Sequence, residues 1–179
     1  MSNQADSNNS DSRTALIVLS YLTEELQQAI PEHERGKIRD EFEAREAIAS
    51  FVNQISENRE QLSAEDISLD DRQAEALGPA ILDVLGKDEA IRPKVEELTT
   101  DLPEDAQMSV ELALAGAVIL GAVITWLQTK VEITVTKKNG KSEFYFKLNK
   151  DATDASLIKD VANSLVMLLT GIPNPENGS

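Results

Sequence analysis

Asn139-Gly140 sits between two runs of alternating side chains, Val131–Lys138 and Lys141–Leu148. An Asn-Gly pair is the preferred two-residue type I′ turn, because both of its positions need positive φ. Setting it as the loop predicts a register in which Lys138 opposes Lys141, Val135 opposes Phe144, Ile133 opposes Phe146 and Val131 opposes Leu148. The three apolar pairs then share one face. The other face pairs Thr136 with Glu143, Thr134 with Tyr145, and Glu132 with Lys147, the last complementary in charge. A slip of one residue would turn every apolar side chain to water. Two strands alone are marginal, so the rest of the chain must cover both edges or another chain must complete them.

Helical periodicity surrounds this hairpin. Apolar positions Ala15, Val18, Leu19, Leu22, Leu26, Ala29 and Ile30 predict a first helix that Pro31 ends. Ile38, Phe42, Ile48, Phe51, Val52 and Ile55 line one face of a second helix. A third opens near Ser68 and Asp71, is expected to bend or break at Gly78-Pro79, and stops at Gly86. A short fourth spans 91–98, with Pro93 in its first turn. After the hairpin, Leu157, Ile158, Val161, Leu165, Leu168 and Leu169 form a closing helix stopped by Gly171 and Pro173. The fold class expected is α+β: a mostly helical N-terminal region followed by a helix–β-hairpin–helix C-terminal unit. Residues 1–12 have almost nothing apolar to bury and are expected to be a disordered tail. The remaining division is an acidic helical region at 13–105, the helix/hairpin/helix module at 106–171 and a tail at 172–179, with a hinge around 99–105.

Residues 110–127, VELALAGAVILGAVITWL, are the most apolar stretch. They reach the lower limit of what spans a bilayer. Ala113, Ala117 and Gly121 form a small-residue stripe at every fourth position that would admit a close helix neighbour. Glu111 inside the run, the absence of a spacer before the strand, and Lys130, Lys137, Lys138 and Lys141 beyond it all oppose spanning. A buried core helix packed along that stripe is the expectation, and a membrane helix that anchors or oligomerises the protein is the alternative.

Charge excludes further classes. The chain of 179 residues carries 17 Lys+Arg and 32 Asp+Glu, a net of −15. All of that excess precedes residue 110, which marks the compositional step between the two modules. A surface so acidic repels phosphate backbones, so no nucleic-acid partner is expected. No cysteine is present, which removes thiol chemistry and Cys-based zinc sites. The glycines fall in neither phosphate-binding pattern. The sole histidine, His33, lies in a polar linker with Glu32 and Glu34 and reads as a solvated side chain. Acidic pairs such as Glu24-Glu25, Glu41 with Glu43 and Asp70-Asp71 are what a solvated helix face produces. The expectation is therefore no catalytic residue, no cofactor and no metal site, with neither nucleotides nor zinc bound specifically. The N-terminal segment has no signal-peptide pattern, which makes the cytoplasm the default compartment.

The apolar helix ending in Trp126-Leu127, the alternating strand, the residue-Gly turn and the closing helix together resemble the effector-associated constant components of bacterial conflict systems, over about residues 108–170. The resemblance implies a non-enzymatic adaptor that accompanies NTPase, protease and effector components in immunity. The expected partner is a protein, or a second copy, engaged through the hairpin edge. The interaction residues expected are Ala113, Ala117 and Gly121 on the stripe, Trp126 at its end, and Glu132, Thr134, Tyr145 and Lys147 on the polar face of the hairpin.

Overall fold

The computed structural model describes residues 3–55, 61–102, 114–149 and 155–171. Among these, six α-helices and one antiparallel hairpin follow the order α1 (Asn3–Ala29), α2 (Glu41–Ile55), α3 (Asp71–Leu85), α4 (Arg92–Thr100), α5 (Ala115–Lys130), β1 (Val131–Lys138), β2 (Lys141–Leu148) and α6 (Ala155–Thr170). A 3₁₀ turn at Ala64–Asp66 lies between α2 and α3. The fold is α+β with a helix–hairpin–helix C-terminal arrangement, as expected.

Helix α5 is the centre of the molecule. Between Ala115 and Trp126 its only polar side chain is Thr125, so it has no polar face to turn to water. It packs against α1, α2 and α3 and runs directly into β1. Ten of its residues are buried by the protein's own helices, and among the described residues no helix is long and apolar enough to cross a membrane.

Helix α1 lies between α5, α3 and α4. Residues Ala15 to Leu19 are buried in an unbroken run because neighbours cover the helix on several sides. Its first turns begin at Asn3, where the composition predicted a disordered tail over 1–12. Once the buried turn around Leu16 is formed, each added residue gains a hydrogen bond without a new nucleation cost, and the helix extends through polar sequence.

Two features of α3 correct the sequence expectation. Its cap is Asp70, whose Oδ1 accepts from the Gln73 N–H at 2.8 Å while Gln73 Oε1 accepts from the Asp70 N–H, a reciprocal box two residues later than the Ser68 start. The helix also continues through Gly78-Pro79 rather than breaking. A proline removes one backbone donor and crowds the preceding turn. Here packing on α1 and α5 holds the helix together, and α1 comes so close that a Cβ on Gly78 would stand 3.4 Å from the Ser12 carbonyl oxygen. The short fourth helix carries Pro93 in its first turn, as the spacing predicts.

The core is one cluster. It joins Leu16, Leu19 and Leu22 of α1 and Phe51 of α2 to Trp126 of α5, Ile133 of β1 and Leu165 of α6. The boundary expected around 99–105 therefore does not separate two cores, because α5 alone is too apolar to be covered by the hairpin and α6. The described part of that segment, up to Leu102, includes the end of α4.

The hairpin has the register read from its turn: the seven pairs derived from the sequence form, and Lys137↔Ser142 completes the eight from Val131↔Leu148 to Lys138↔Lys141. Asn139 and Gly140 take φ of 54° and 77°. Val131, Ile133 and Phe144 are buried, while Val135 and Phe146 are half-buried and Leu148 is 45% exposed. On β1 burial fades toward the turn, whereas on β2 Phe144 reaches the core and Leu148 at the base does not; the last residues before and after the turn, Thr136 to Lys141, are exposed.

Candidate functional site

In an antiparallel pair, residues alternate between those whose N–H and C=O bond the partner strand and those whose groups point outward. A two-residue turn makes its flanking pair, Lys138 and Lys141, a bonded one. Thr136/Glu143, Thr134/Tyr145 and Glu132/Lys147 follow as bonded pairs, and the Asn149 N–H donating to the Lys130 carbonyl at 2.9 Å continues the series. The outward groups therefore belong to Val131, Ile133, Val135 and Lys137 on β1, and to Ser142, Phe144, Phe146 and Leu148 on β2. Thr134 donates its N–H into the ladder and offers none at the edge.

Side chains cover each edge near its base. Lys37 Nζ donates to the Ile133 carbonyl at 2.6 Å on one side. Gln54 Nε2 donates to the Phe146 carbonyl at 3.3 Å on the other. Phe146 also meets Phe51 edge-on, with ring centroids 5.2 Å apart. Beyond these clamps, no group among the described residues bonds the outward N–H and C=O of Val135, Lys137, Ser142 or Phe144.

The free end is basic. Residues 131–148 hold Lys137, Lys138, Lys141 and Lys147 against Glu132 and Glu143, a net of 4 − 2 = +2 on a chain of −15. Lys137, Lys138 and Lys141 are all exposed. On the polar face Tyr145 is 57% exposed. Its hydroxyl donates to Glu143 Oε2 at 3.2 Å. That bond to a carboxylate, followed by the carboxylate's negative charge, pushes the phenol above its usual value.

The eight expected interaction residues divide. Glu132, Thr134, Tyr145 and Lys147 are exposed together on the polar face of the hairpin. Ala113 lies outside the described residues. Ala117 is exposed and Gly121 is half-buried, with nothing within 4 Å of a Cβ built on it. The described part of the stripe, Ala117 and Gly121, is thus not an internal helix contact. The buried small residues of α5 are Ala115, Gly116 and Ala122 instead. Trp126 is not at the surface either: it is 1% exposed and its Nε1–H donates to Asp88 Oδ2 at 2.9 Å. No protein-family model matches the sequence, and no curated protein or solved structure matches it.

Asp88 is the polar group that sequence reasoning missed. Its Oδ2 also takes the Lys130 ammonium at 2.6 Å, and its Oδ1 accepts the Ala90 N–H at 3.1 Å. Trp126 and Lys130 are four residues apart and so share a helix face. Both clamp the α3–α4 turn onto the end of α5 where the hairpin begins. The i,i+4 spacing was visible, but nothing nearby in sequence pointed to an acidic partner 38 residues before the tryptophan.

Proposed function

We propose that this chain is a non-enzymatic interaction module that docks a protein partner through the distal half of its hairpin. The single observation carrying the reading is the unbonded rim of the distal hairpin: outward backbone groups at Val135 and Lys137 on the β1 edge and at Ser142 and Phe144 on the β2 edge, flanked by exposed lysines. Strand addition at such an edge draws affinity from main-chain bonds and specificity from alternate side chains. The lysines keep identical edges from pairing indiscriminately and favour a partner whose matching strand is acidic. The resemblance of residues 108–170 to constant components of bacterial conflict systems supports an adaptor role beside effector proteins. Of the expected interaction residues, Thr134 and Tyr145 lie nearest the docking edge, whereas Glu132 and Lys147 lie nearer the clamped base.

Site-specific photo-crosslinking in cells of the source organism tests the reading. A photoreactive residue at Tyr145 is expected to give a discrete protein adduct, and one at half-buried Glu75 on α3 is not. Adducts at Glu75 alone would move docking to the acidic helices. An adduct to lipid would favour the membrane reading.

A further inference from the structure

The fold carries a second cluster, at the base of the hairpin and away from the docking edge. His33 and Glu34 lie in the turn after α1, and Glu132 lies on β1, about a hundred residues later in the chain. One ligand atom from each lies within 4.8 Å of the others. His33 Nε2 stands 3.5 Å from Glu34 Oε1. Two ligands on a tetrahedral zinc ion, each at roughly 2.0–2.1 Å from the metal, stand about 3.3 Å apart, close to this spacing.

Two further observations point to a cation. Glu132 faces Lys147 across the strands, as the register requires, yet no ion pair forms between them. The Glu132 carboxylate is drawn up beside a second carboxylate and an imidazole instead. Glu34 is also held in place before any ligand arrives. It is 4% exposed, and Lys37 Nζ donates to its Oε1 at 2.8 Å while also donating to the Ile133 carbonyl. The oxygen that holds Lys37 is the one facing His33, but a carboxylate carries about four acceptor sites on its two oxygens, so Glu34 can keep Lys37 and still take a metal ion. The three groups line a cavity of about 240 Å³ with Gln128, Lys147 and Asn149, which leaves room for water to complete a coordination shell.

We propose that His33, Glu34 and Glu132 form a binding site for a divalent transition-metal cation of the zinc class, tying the α1–α2 turn to the first strand. An imidazole nitrogen beside carboxylates selects this class over magnesium or calcium, which take oxygen alone. The inference reverses the sequence expectation that no zinc binds, which rested on the missing ligand set around the sole histidine. It is independent of the docking reading.

His33 is the sole histidine, so in the untagged full-length chain its ring signals are assigned without ambiguity. Titrating ZnCl₂ while recording histidine-ring NMR is expected to shift them saturably at one ion per chain, whereas MgCl₂ at the same concentrations leaves them in place. The exposed-site variant Glu132→Gln is expected to keep the metal-free melting temperature and to weaken zinc binding by about ten-fold or more, the size of loss found even for groups behind a ligand. Ring signals unmoved by zinc would overturn the proposal, and so would unchanged affinity in Glu132→Gln, which would mean an exposed histidine binding on its own.

Discussion

Replacing Asp88 by alanine removes three acceptor contacts in one step. The Lys130 ammonium loses its partner at 2.6 Å, the Trp126 indole N–H loses its acceptor at 2.9 Å, and the Ala90 N–H loses its bond at 3.1 Å. Breaking a buried ion pair from one side costs about 3–5 kcal/mol, because the remaining charge stays where water cannot reach it. Lys130 is the last residue of α5, and its side chain is 12% exposed against 4% for Asp88, so its ammonium can swing partly toward solvent. That places the expected loss near the lower end, ~3 kcal/mol. Losing the indole partner overlaps with this figure and is not added to it. Urea unfolding followed by fluorescence reads the result directly, since Trp126 is the only tryptophan. The midpoint should fall with the slope unchanged. Lys130→Met leaves Asp88 bonded to Trp126 and Ala90, and the Asp88→Ala/Lys130→Met double variant should lose less than the sum of the singles, with a coupling above about 0.5 kcal/mol. A loss below about 1 kcal/mol for Asp88→Ala, or additive singles, would refute the view that this pair locks the turn to the helix.

Four other perturbations follow from the same geometry. Ile133→Ala, at a fully buried position, should cost about 2–5 kcal/mol in denaturant melts, whereas half-buried Phe146→Ala should fall below the ~3–5 kcal/mol expected of a buried phenylalanine. Gly121→Leu should leave the melting temperature unchanged or raise it, since nothing stands within 4 Å of the first added carbon and glycine is about 0.8–1.0 kcal/mol worse than alanine inside a helix; a clear drop would restore a tight contact along the small-residue stripe. Glu46 has its carboxyl pushed above the ordinary 4.5 by burial, then by Glu43 and Asp40. The folded state thus holds that proton more tightly than the unfolded one, so the group's contribution is complete below the ordinary value and is lost as pH rises through the raised value. Glu46→Gln should therefore melt higher than the parent at pH 7, with the gain disappearing at pH 3.

The hairpin was legible residue by residue because everything that sets it is local: a turn that needs positive φ twice, and a side-chain period of two on either side. The same turn also determines which backbone groups point outward, and hence that Thr134 bonds inward. Helix α5 was legible as the core but not in its orientation. A helix apolar on every side has no polar face to show which stripe meets a neighbour, so Ala117 and Gly121 could not be placed, and Trp126 read as a surface anchor. The polar clusters were the least legible. Asp88 with Lys130, and His33 with Glu132, join elements far apart in sequence, and only the packing of α1 and α3 around α5 brings them together.

Amide hydrogen exchange on the free chain, and on its complex with whichever protein crosslinks at Tyr145, tests the docking edge most directly. In the free chain the inward amides of Thr134, Thr136 and Tyr145 should be protected, and the outward amides of Val135, Lys137, Ser142 and Phe144 should exchange freely. Binding should slow the outward amides of one strand, in alternation with neighbours already protected. Outward amides that exchange at the same rate in the complex would contradict strand addition and leave the hairpin as a structural element only.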